Sequence, residues 1–77
     1  MKYIGIHIDN SNFFKDIETL KNNGFNIEEV LTALKMFVVN IEDDERDSKL
    51  EKLKSFDFIE SVEENIEYQL IDNYKLI

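Results

Sequence analysis

The chain has 77 residues, 17 acidic against 9 basic, for a net charge of −8, with no cysteine and no proline. That length supports one small domain burying roughly 60% of its unfolded surface, and the missing cysteine excludes disulfides and thiolate metal sites. The acidic balance argues against a phosphate-backbone partner, and no apolar run approaches the ~20 residues that cross a bilayer, so neither nucleic acid nor membrane is an expected partner.

From Tyr3 to Asp9 the chain alternates, with Tyr3, Gly5, His7 and Asp9 on one side and Ile4, Ile6 and Ile8 on the other. Period two with β-branched residues predicts a strand with one buried face. His7, the single histidine, then falls mid-strand next to no predicted carboxylate partner, which predicts a half-exposed strand residue rather than a base or ligand. The capping cluster Asp9-Asn10-Ser11-Asn12 precedes Phe13, Phe14, Ile17 and Leu20 at helical spacing, and Asn22-Asn23-Gly24 supplies a left-handed stop. A helix results, expected to pack Phe14, Ile17 and Leu20 on the sheet. An aromatic platform from Phe13 and Phe14 is the functional alternative.

Residues 25–34 carry conflicting signals. Asn26 with Glu29 has the form of a capping box, and Ile27, Val30, Leu31 and Leu34 are helically spaced. A helix would leave three strands with long crossovers in a very short chain, whereas a strand completes a four-stranded sheet. The expectation is a strand from about Phe25 to Leu31. Lys35 to Ile41 follows as a central strand, with Phe37, Val39 and Ile41 on one face and Met36 and Val38 on the other.

The acidic loop Glu42 to Asp47 suits a helix N-terminus. It lacks the alternating ligands and central glycine of a calcium loop. In the next helix Leu50 and Leu53 face the core and Phe56 closes it. Lys49, Glu51, Lys52 and Lys54 stay in water, with a Glu45–Lys49 pair worth a few tenths of a kcal/mol at most, about 0.3. Phe58 to Ile66 forms the last strand, after which Ile66, Tyr68 and Leu70 alternate with Glu67 and Gln69. No internal repeat or linker is evident.

The segment Ser48-Lys49-Leu50-Glu51-Lys52-Leu53-Lys54, a tight break, then Ile59-Glu60-Ser61-Val62-Glu63-Glu64-Asn65, resembles the closing half of the subtilisin-propeptide inhibitor family, the prodomains of subtilisin-like serine proteases. Lys2-Tyr3-Ile4 resembles its opening strand. Asn65 stands where the family has Asp, and Asp57 where proline is common. The resemblance implies an α+β, ferredoxin-like βαββαβ fold, a four-stranded antiparallel sheet with two helices on one face. It implies a propeptide-like inhibitor domain over residues 1–71 and a C-terminal tail over 72–77. It also implies a protease partner, monomeric when free, whose surface helices are capped by Glu63 and Asn65 beside Glu64. Tyr68-Gln69-Leu70-Ile71 would lie in the substrate cleft, Tyr68 in the fourth subsite and Ile71 in the first. A β-branched first-subsite residue departs from the pattern, as does a chain continuing to Ile77.

No nucleophile elbow, glycine-rich phosphate loop or paired catalytic carboxylates occur, so no enzyme and no cofactor are expected. The start of the chain lacks the apolar core and cleavage site of a signal peptide. Either the protein is made without export, which implies a cytoplasmic location for a chain complete as it stands, or the chain is a mature or recombinant fragment; the resemblance implies an extracellular location for a secreted-protease prodomain. Two other readings fit the composition: a ferredoxin-like regulatory or ligand-binding module, and an acidic decoy imitating nucleic acid, though its carboxylates are interleaved with lysines.

Overall fold

The computed structural model describes residues 1–64. Their elements run β1 (Lys2–His7), α1 (Phe13–Asn22), β2 (Asn26–Leu31), β3 (Met36–Asn40), α2 (Arg46–Lys54) and β4 (Ile59–Glu64), with short 3-10 turns at Thr32–Leu34 and Asp43–Glu45. The strands form one antiparallel sheet in the order β2-β3-β1-β4. This is the ferredoxin-like βαββαβ arrangement expected, and residues 26–31 are strand, not helix.

One sheet face meets both helices. Tyr3, Phe37, Val39 and Ile41 from the β1–β3 side form a single cluster with Phe13, Ile17 and Leu20 of α1, Phe25, and Leu53 of α2. Leu20, Leu53, Phe37 and Val39 are completely enclosed; burying each such side chain contributes about 1.5–3 kcal/mol. The register explains why β1 turns Tyr3, Gly5 and His7 inward. Gly5 lies opposite Phe37, whose ring fills the space above it: a Cβ at Gly5 would sit 2.2 Å from Phe37 Cζ. A large aromatic on β3 thus requires the smallest residue on β1, and the isoleucines take the other face.

Each edge strand contains a register shift. On β2, Ile27 pairs with Val39 and Glu29 with Val38, leaving Glu28 extra. On β4, Ser61 pairs with Ile6 and Ile59 with His7, leaving Glu60 extra. Residues three apart in a regular strand point to opposite faces. The added residue brings Ile27 and Val30, and likewise Ile59 and Val62, onto the core side, where all four pack against the central cluster. The helical spacing of Ile27 and Val30 is therefore the signature of a bulge. Ile27-Glu28-Glu29-Val30 and Ile59-Glu60-Ser61-Val62 occupy corresponding places in the two βαβ-like halves, a correspondence that spacing alone does not reveal.

The helix ends are set locally and across the fold. Asn12 makes no side-chain cap; its own N–H is instead donated to Asn10 Oδ1 at 2.9 Å, so the polar cluster shapes the turn before α1. At the other end Phe25 N–H donates to Leu20 O and Gly24 N–H to Lys21 O, both at 3.1 Å, with Gly24 at φ +87°. These are the paired bonds of a Schellman stop, for which glycine avoids the steric penalty of positive φ. Lys49 and Lys52 of α2 then reach across to the Gly24 and Asn23 carbonyls at 3.0 and 3.2 Å, over the ring of Phe25. Lys49 is thus half-buried and tied to the α1 stop, not to Glu45, which corrects the expectation that it stays in water, whereas Lys52 makes its bond while remaining exposed, as expected.

Candidate functional site

The helices leave the other side of the sheet bare among the described residues. Antiparallel partners share a face, so Ile4 with Val38 and Ile6 with Met36 lie on it, as do Leu31 opposite Met36 and Glu29 opposite Val38. Ile4, Ile6, Met36 and Leu31 are half-buried and Val38 is buried. None belongs to the core cluster or packs against it, so they make a second, separate apolar layer.

Its margins are charged. Lys2 Nζ bridges Glu28 Oε1 at 3.0 Å. The hydrogen bond from Lys2 holds the Glu28 carboxyl below its ordinary range, assisted by the lysine charge and Asn40 and opposed by partial desolvation. Along β4, Glu63 lies opposite Ile4 and so borders the helix-free face, whereas Glu64 lies opposite Tyr3 on the helix side; both are exposed. The alternation expected of the pair is present, and it is Glu63 that shares a face with the isoleucines. Asn65, Tyr68, Gln69, Leu70 and Ile71, the remaining expected contacts, lie outside the described residues.

Two expectations about the other side need correction. Phe13, not Phe14, packs inward with Ile17 and Leu20, while Phe14 is 64% exposed. The helix begins one residue earlier against the core than the spacing of Phe14, Ile17 and Leu20 suggests, because Phe13 stands edge-on to the His7 ring at 5.3 Å. His7 itself is 3% exposed, not half-exposed, and it has a carboxylate partner: Nε2 lies 2.6 Å from Asp16 Oδ2. Nδ1 lies against the Ile8 carbonyl, and Phe58 stacks on the ring at 5.5 Å. Asp16 belongs to the first turn of α1, where the helix dipole also favours negative charge. The signal in the sequence was a helix starting six residues after a strand-end histidine, which returns its first-turn acid to that end of the sheet.

Among the described residues no group of three or more His, Cys, Asp or Glu side chains is placed to hold a metal ion, and no helix is long and apolar enough to cross a membrane. Comparison of the chain with protein-family models, with curated proteins and with solved structures finds no match.

Proposed function

We propose that this domain binds and inhibits a subtilisin-like serine protease in the manner of that enzyme's prodomains, presenting its helix-free sheet face to the protease surface and its C-terminal segment to the cleft. The observation that carries the reading is the second apolar layer of Ile4, Ile6, Met36, Val38 and Leu31 with Glu63 at its border. An apolar sheet face gains by being covered. A carboxylate at its rim can accept bonds from the free amides at a partner helix N-terminus, typically worth ~0.3–1 kcal/mol. Binding the folded protease better than its unfolded chain would also assist that protease's folding.

The resemblance of Val62-Glu63-Glu64-Asn65 to the prodomain motif supports the same partner. In this reading Tyr68-Gln69-Leu70-Ile71 adds as a strand to the cleft, main-chain bonds giving affinity and alternate side chains specificity. The test is a steady-state assay of a subtilisin-type protease with the purified domain. Competitive slowing is expected, with Glu63→Gln weakening it about three- to fivefold, Glu64→Gln having little effect, and removal of Tyr68 to Ile77 abolishing most of it. No slowing at any concentration, with self-association through the sheet in sedimentation, would favour the regulatory-module reading instead.

A further inference from the structure

The buried histidine is unused by the proposed docking face, and its surroundings constrain its protons. Its Nδ1 faces the Ile8 carbonyl at 2.5 Å, an atom that can only accept. Its Nε2 faces Asp16 Oδ2 at 2.6 Å. A neutral ring has one N–H and one lone pair. Either tautomer would press that lone pair against an oxygen at hydrogen-bonding distance, with Phe13 and Phe58 on the ring and water excluded. The geometry is satisfied when the ring–carboxylate pair carries two protons, one on Nδ1 and one between Nε2 and Asp16.

We propose that His7 and Asp16 form a buried proton latch that couples folding of this domain to pH, closed in neutral and mildly acidic solution and opening in alkali. Other charged side chains face this end of the sheet from the neighbouring elements. Asp9 follows β1, Lys35 lies between the turn at Thr32–Leu34 and β3, and Glu60 is the extra residue of β4; all line one depression beside His7. The latch sits at the junction of three elements: His7 N–H donates to Lys35 O at 2.8 Å and Ile8 N–H to Phe58 O at 3.0 Å, so it fastens α1 and the start of β4 to the same strand end.

The sign follows from proton counting. In the unfolded chain a histidine is half-protonated near ~6.5 and an aspartate near ~3.9. Above ~6.5 the closed pair holds a proton the unfolded chain has released, so stability falls as pH rises until the pair gives that proton up. Below ~3.9 the ionised aspartate becomes the liability, and stability falls again.

Urea unfolding of the full chain between about pH 5 and 9 tests this against Asp16→Asn, which preserves shape but not charge. For the wild type the unfolding constant should rise by up to about tenfold per pH unit above neutrality, the limit for one linked proton. Asp16→Asn should flatten that rise. Nitrogen NMR of the folded wild type at about pH 7.5 gives a second reading that needs no variant: both ring nitrogens protonated, where a free histidine would be largely neutral. A single-tautomer neutral ring, or parallel pH curves for wild type and Asp16→Asn, would overturn the latch. Neither result bears on protease inhibition.

Discussion

Along β1, the side that meets the helices is Tyr3, Gly5 and His7, and the side turned away holds Ile4 and Ile6. By hydrophobicity alone the isoleucines belong inside. The helix-facing side instead combines an aromatic, a gap and an ionisable ring, each with a specific complement: the Met1 sulfur 3.3 Å from the Tyr3 hydroxyl, Phe37 over Gly5, and Asp16 against His7. The centre of the other side, Ile4, Ile6, Met36, Val38 and Leu31, is an apolar layer apart from the core cluster. One side is specified by shape and charge, the other by an apolar layer with charged margins.

That contrast can be broken most severely at Phe37. Phe37→Ala should cost about 3–5 kcal/mol, as enclosed aromatic truncations do, enough to unfold much of so small a domain; a thermal or urea melt will show it. Gly5→Ala should cost about 2–3 kcal/mol, because the added methyl meets a ring that is itself enclosed and has no free space into which to swing. A double-mutant cycle of Gly5→Ala with Phe37→Leu should recover part of that loss, since the two sites share one volume. Equal and additive losses would mean the ring does not hold Gly5 in place.

On the opposite side, Ile6→Ser should cost only about 1 kcal/mol of stability, the ordinary effect of a substitution outside the core. On the docking proposed above, it should weaken inhibition in the protease assay about tenfold, from the loss of a buried aliphatic side chain. A large stability loss with unchanged inhibition would reverse the roles assigned to the two sides. The smallest effect belongs to the rim. Lys2→Met should raise the Glu28 titration toward its ordinary carboxylate range, measurable by carboxyl NMR titration. Because the folded chain depresses that titration, the bridge's contribution is present at neutral pH and disappears as acid protonates Glu28; as a solvent-exposed pair it should alter the melt little.

Much of this fold was legible from residue order. Alternation marked β1 and β3, and the Gly24 stop ended α1 where a Schellman turn forms. Topology outweighed local spacing over residues 26–31, correctly, because the bulge at Glu28 gives that edge strand a helical spacing. The inward side of β1 was not legible. It is decided by the size of Phe37 on a strand some thirty residues later, and no local pattern encodes that. The His7–Asp16 pair was hidden for a similar reason: the two residues are nine apart in sequence and meet only once α1 folds back. Of the candidate site, the placement of Glu63 and Glu64 on opposite faces followed from strand geometry, but which of them borders the isoleucines depended on the β1–β4 register.

The paired irregularities at Glu28 and Glu60 have a further consequence. A flat outer strand invites another copy to extend the sheet sideways, and repetition of that event builds fibres. Here both rims are kinked, so a neighbouring molecule would have to match a bent backbone. A bend in each outer strand thus disfavours sideways addition of a further strand while leaving the helix-free face open.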